Sequence, residues 1–118
     1  MHEFALSAEL VTQVLEEMSR LEPSAVLQQA RVVVGALRRV TPESLSFAYE
    51  IQTRDTRAAG SSLEVAMVPA VVLCRDCGWQ GEPDNLLPVC PHCANTDLET
   101  LQGMELYLSS LEVADQET

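Results

Sequence analysis

CRDCGWQGEPDNLLPVCPHC, residues 74–93, sets the reading of the whole chain. Two residues separate Cys74 from Cys77 and Cys90 from Cys93, and twelve lie between the pairs. A C-x2-C turn brings two thiolates toward one point, because its backbone amides turn inward and can donate to sulfur. Two such turns supply a tetrahedral set of four sulfurs, which suits Zn²⁺ or an iron–sulfur centre. A closed four-thiolate shell leaves no open position for a substrate, so the metal reads as structural. A segment this short cannot bury enough surface to fold without it. Gly78 tolerates positive φ after the first turn, whereas Ala94 stands where the second favours glycine. Trp79 is the only aromatic residue between Met67 and Leu106, which would leave an iron centre poorly shielded and favours zinc. His92 reads either as an exposed side chain or as an alternative ligand.

The composition around this segment narrows the class. The chain has 118 residues, seven arginines, no lysine and a formal net charge of −11. Beyond Arg38-Arg39 there is no local basic run to neutralise phosphates, so nucleic acid and anionic membranes are excluded as partners. Metal cations and basic protein surfaces suit this charge. No apolar run approaches the ~20 residues that span a bilayer. Glu3 and Glu9 stand where a signal peptide would be basic and then apolar. The expected location is the cytoplasm, where four cysteines in two close pairs point to metal rather than disulfides.

Periodicity predicts an α+β chain. Leu10, Val11, Val14, Leu15 and Met18 share helical spacing within Glu3–Leu21, with polar residues on the other faces. Val26 to Leu37, with its Val32-Val33-Val34 run, predicts a largely buried strand ending near Gly35. Thr41-Pro42-Glu43 carries an N-cap, a first-turn proline and an acidic first turn, predicting a helix to about Thr53. Residues 55–62 read as a loop. Leu63 to Val68 alternates, with Leu63, Val65 and Met67 on one side, as a half-buried strand does. Val71–Leu73 leads into Cys74. Leu98 to Val113 reads as two strands broken at Gly103, and residues 114–118 as an acidic tail.

The chain opens with Met1-His2-Glu3. A histidine at position 2 places the terminal amine, its own amide nitrogen and its imidazole within chelating reach of one ion. Such nitrogen sets favour square-planar Ni²⁺ or Cu²⁺. Glu3 could add an amide nitrogen or a carboxylate, and the first helix would anchor the site. Taken alone, a histidine near a chain start is commonplace.

Taken together, the MHE start, the CRDCGW and PVCPHC turns and the GMELYLSSLEV ending resemble the HypA/HybF family of nickel metallochaperones for nickel–iron hydrogenase maturation. The resemblance covers nearly the whole chain. It implies two helices on a three-stranded sheet, with a small four-cysteine zinc-ribbon-like lobe inserted before the last strand. The nickel-binding domain would be residues 1–68 plus 103–118, and the zinc-binding domain residues 69–102. It implies Ni(II), transferred, at Met1, His2 and Glu3, and structural Zn(II) at Cys74, Cys77, Cys90 and Cys93. Its implied partners are a HypB-type GTPase and the hydrogenase large subunit, with urease as a second client in some members. The expected assembly is a monomer or weak homodimer. The competing reading is a zinc-ribbon protein-interaction adaptor with no nickel role. Enzymatic activity is not expected, since the chain has no serine-nucleophile motif and no phosphate-cradling glycine loop.

Overall fold

A computed structural model describes residues 2–83 and 89–115. The elements run α1 (His2–Met18), β1 (Ala25–Gly35), a 3-10 turn (Ala36–Arg38), α2 (Pro42–Gln52), β2 (Ser62–Val68), β3 (Val71–Cys74), β4 (Gln80–Gly81), β5 (Leu98–Gln102) and β6 (Leu106–Asp115). Two three-stranded sheets form, ordered β2-β1-β6 and β4-β3-β5. The α+β expectation therefore holds, with a second small sheet around the cysteines.

Proximity divides the chain into two compact units. One gathers Met1–Val33, Val40–Ala66 and Leu106–Thr118; the other joins Val34–Arg39 to Met67–Glu105.

In the first unit, α1 buries Leu10, Val11, Val14 and Met18 as its sequence spacing predicts, buries Leu6 and Ser7 as well, and leaves Leu15 half-buried. Val11, Val14 and Met18 pack into a core with Leu27 and Ala30 of β1, Tyr49 of α2 and Ala58, flanked by Leu15, Leu63, Leu108 and Leu111. α1 ends at Met18, with Pro23 just beyond, and Arg57 donates to the carbonyls of Met18 at the helix end, of Glu22 in the connection and of Ala25 at the start of β1. α2 starts as read. Thr41 accepts from the Ser44 amide at 3.0 Å, Ser44 returns the bond, and Pro42 fills the first helical position. Its far end is fixed by Thr53, whose buried hydroxyl donates to the Tyr49 carbonyl at 2.8 Å.

Two strand expectations, for β2 and β6, need correction. β1 is largely buried and ends at Gly35 as read: Leu27, Ala30, Val32 and Val34 are buried, while Val26 and Gln28 are exposed. A sheet covered by helices on one side leaves the other for polar residues. There Arg31 bridges Glu64 of β2 and Glu112 of β6, at 3.3 and 3.2 Å, and these exposed pairs add little stability. In β2, Leu63 and Val65 are half-buried, Leu63 against the core of the first unit, but Met67 is exposed and falls past the last β2 residue of that unit. β6 extends to Asp115, so residues 114 and 115 belong to the sheet rather than to a tail; residues 116–118 lie outside the described set.

In the second unit, β3 pairs antiparallel with both neighbours. Val72 faces Gly81 and Leu73 faces Gln80 on one side; on the other Leu73 faces Glu99 and Cys74 faces Leu98. This register delivers Cys74 to the end of the central strand. No described helix is long and apolar enough to cross a membrane.

Candidate metal centres

The two C-x2-C segments fold as copies of one turn. In the first, the Gly78 amide donates to the Cys74 carbonyl at 2.9 Å, and the Cys74 amide to the Trp79 carbonyl at 2.7 Å. In the second, the Ala94 amide donates to the Cys90 carbonyl and the Cys90 amide to the Asn95 carbonyl, both at 2.8 Å. The residue offsets are identical. Each turn also aims an amide at its first sulfur: Cys77 N–H at Cys74 Sγ, 3.5 Å, and His92 N–H at Cys90 Sγ, 3.3 Å. The first cysteine of each pair is buried and the second is exposed.

The four sulfurs converge. All lie within 4.8 Å of one another, and Cys74–Cys93 and Cys77–Cys90 approach to 3.6 Å. Such separations far exceed the ~2 Å of a disulfide bond. They come close to the edge of a tetrahedron with metal–sulfur bonds of about 2.3 Å, which measures about 3.8 Å. The donor set therefore fits a tetrahedral thiophilic cation such as Zn²⁺.

Electrostatics point the same way. The Cys77 amide holds the Cys74 thiol down to about 7. The Asn95 amide favours a thiolate at Cys93, yet desolvation and the crowding of Cys74, Cys77 and Cys90 outweigh it and push that thiol up to about 12. Cys77 is also raised, since desolvation and the sulfurs of Cys90 and Cys74 overcome its bond from the Trp79 amide. Four thiolates cannot share this volume without a cation. A divalent metal would remove the conflict by displacing the remaining protons.

His92 is exposed and contributes its backbone N–H, while the described cluster consists of the four cysteines. Sequence reading missed Arg75. Its guanidinium reaches Asp97 at 2.8 Å and Glu99 at 3.4 Å, tying the first turn to β5 and raising its own pKa chiefly through the Asp97 bond. No local spacing signals a partner 22 residues away.

Gly78 and Ala94, at equivalent places in the two turns, have φ of 80° and 62°. A left-handed alanine costs roughly 1–2 kcal/mol, offset in part by the greater freedom of glycine in the unfolded chain. Ala94→Gly is expected to stabilise the metal-loaded protein by about 0.5–1 kcal/mol, read as a raised unfolding midpoint. A lowered midpoint would show that the strain is carried elsewhere.

The N-terminal candidates lie in the other unit. α1 begins at His2, which is exposed, with Glu3 half-buried in the first turn. Met1 lies outside the described residues. The first amides of a helix have no carbonyl one turn earlier within that helix, so the ladder of α1 does not compete for the amide nitrogens of His2 and Glu3.

A family model described as hydrogenase/urease nickel incorporation, metallochaperone, hypA matches residues 1–113. A protein of Acidithiobacillus ferrooxidans named hydrogenase maturation factor HypA is 37% identical over 113 residues, covering 96% of this chain and 99% of the relative. One of the same name from Moorella thermoacetica is 31% identical over 112 residues, covering 95% and 98%. Among solved structures, the solution structure of the Ni metallochaperone HypA from Helicobacter pylori superposes with a TM-score of 0.64 at 22% identity, covering 98% of this chain and 100% of that one. That likeness is one of fold.

Proposed function

The chain belongs to the HypA family, and from that membership we propose that it is a nickel metallochaperone acting in hydrogenase maturation. Nickel is its cargo. The cargo site is the start of the chain, where the Met1 amine, the amide and imidazole of His2, and Glu3 supply the donors. Zinc is resident and structural, held by Cys74, Cys77, Cys90 and Cys93. Residues 1–68 with 103–118 form the nickel-binding domain and residues 69–102 the zinc-binding domain. The partners are a HypB-type GTPase, the hydrogenase large subunit as client and, following the family description, urease as a second client. The protein works in the cytoplasm and catalyses no reaction of its own.

The observation that carries this reading is the extent of the family match: residues 1–113 include His2, Glu3 and all four cysteines. The chemistry supports it. A terminal nitrogen set binds Ni²⁺ in a plane, and few side chains enclose it, so an acceptor's ligands can attack and exchange the ion stepwise. A closed thiolate cage would retain it. Copper outcompetes nickel at nitrogen donors, so selectivity must come from availability and from docking to the right partner. The large negative charge suits docking to basic surfaces. Amine, amide and imidazole must all shed protons to bind, so nickel affinity falls as pH falls.

Calorimetric titration of nickel into zinc-loaded protein with a native Met1 tests the proposal, with His2→Ala beside it. The native protein is expected to bind about one equivalent, and the variant to bind at least about tenfold more weakly while keeping its zinc. Equal binding by both, or by neither, favours the zinc-ribbon adaptor instead.

A further inference from the structure

We propose that Gln52 is a positioning residue for the nickel-binding end of α1, an inference that rests on His2 being a nickel ligand. Full burial along α1 begins at Leu6; Glu3 and Phe4 are half-buried, and His2 and Ala5 are exposed. Met1 offers no side-chain oxygen to cap the helix, unlike the Ser, Thr, Asp or Asn of a typical N-cap. The first turn of a helix frays most readily, and a bond from outside the helix restrains it.

Gln52 supplies such a bond. It is the last residue of α2, and its Nε2 donates to the Phe4 carbonyl at 2.9 Å, across 48 residues of sequence. That bond carries the fixed part of α1 to within two residues of His2. The anchor is itself rigid, because Tyr49 and Thr53 on either side of Gln52 are almost wholly buried and Thr53 closes the helix on the Tyr49 carbonyl.

The other end of the same amide shows that packing alone does not explain the residue. Gln52 Oε1 is buried and has no partner among the described residues, and neither does the buried hydroxyl of Ser7 on α1. A buried acceptor left unpaired costs free energy that an apolar side chain of equal length would avoid. What glutamine adds here over methionine is the donor that reaches Phe4. By ordering the first turn, that donor raises the fraction of molecules whose His2 and Glu3 are held ready for chelation, and apparent affinity scales with that fraction.

The test is Gln52→Met, which keeps length and loses the donor, measured on zinc-loaded protein with a native Met1. Three readouts run together: nickel affinity, the visible spectrum of the nickel-saturated protein, and hydrogen exchange at Leu6, Ser7 and Ala8, whose helical acceptors are the carbonyls of residues 2–4. The expected result is nickel affinity weakened about three- to tenfold, an unchanged spectrum at saturation, and faster exchange at those three amides alone. Native affinity with native exchange would overturn the proposal. Faster exchange throughout the first unit would also overturn it, by making Gln52 a general stability residue. If native protein and His2→Ala bind nickel alike, the nickel reading of the terminus fails instead and takes the positioning role with it. The exchange pattern then still reports whether Gln52 holds the first turn.

Discussion

Chelating the metal from the four cysteines is expected to melt the small unit while the α1–β1–α2 core stays folded. The described residues of the small unit give it little apolar interior. Their buried hydrophobic side chains are Val34, Ala70, Val72, Cys74 and Cys90, and two of these five belong to the cysteine cluster. A structural zinc site contributes on the order of 10–16 kcal/mol of apparent binding free energy at neutral pH. Nothing in this short list of side chains replaces that. Trp79 is the only tryptophan and closes the first turn through its carbonyl, so its fluorescence reports the small unit. Buried Tyr49 and the helical circular dichroism report the other. Chelation is expected to shift the Trp79 emission to that of exposed indole while most helical signal persists. Cys90→Ser should reproduce the loss at lower chelator concentration. The raised Cys93 thiol gives the sign of the pH effect. Each proton that zinc must displace makes its apparent affinity fall about tenfold per unit drop in pH, so chelation should become easier in acid. An unchanged Trp79 spectrum after metal content reaches zero would show that the unit folds on side-chain packing alone.

The parts legible in the sequence are those set by local chemistry. The cysteine spacing requires convergence, and the sulfurs do converge. Thr41-Pro42-Glu43 announces a helix start, and the capping box forms there. The α1 stripe follows from a single period of 3.6 residues. What escaped reading depends on partners distant in sequence. Met67 continues the alternation of β2 but falls past the last β2 residue of the first unit, and it is exposed where Leu63 and Val65 are half-buried. Arg31 interrupts a valine-rich strand for a reason visible only once Glu64 and Glu112 flank it. β4 is two residues long, too short to carry a period at all. Arg75 and Gln52 find their partners across 22 and 48 residues. The nickel role proposed for the N-terminus comes only through resemblance, because one histidine near a chain start has no geometric signature of its own.

Gly35→Ala is expected to be the most damaging single-methyl change in the protein, although its backbone would tolerate any residue. Gly35 has φ −77° and ψ 145°, ordinary extended values. The constraint is space. A Cβ built there would lie 2.0 Å from the Gly103 carbonyl oxygen, 2.1 Å from its carbon and 2.5 Å from the Met104 nitrogen. All three are backbone atoms, so no rotamer change relieves the clash. The same contact is pinned by hydrogen bonds: the Gly35 amide donates to the Glu105 carbonyl and the Leu37 amide to the Gly103 carbonyl, each at 2.8 Å. Arg38 Nε adds a bond to the Met104 carbonyl at 2.9 Å. Gly103 is itself confined: a Cβ built on it would lie 2.9 Å from the Ala70 Cα and 3.1 Å from Leu37 Cδ1, and its φ is 123°. Accommodating one methyl group therefore means pulling residues 103–105 away from the end of β1 and losing those bonds. The cost is expected to be about 3 kcal/mol or more, a fall in melting temperature on the order of 10 °C. Gly60→Ala is the control. Gly60 sits at φ 83° with no atom within 4 Å of the added carbon, so it should lose only the roughly 1 kcal/mol of left-handed strain. If Gly35→Ala melts no lower than Gly60→Ala, the strand end and residues 103–105 are not locked backbone to backbone, and the tight approach of the two glycines has no energetic consequence.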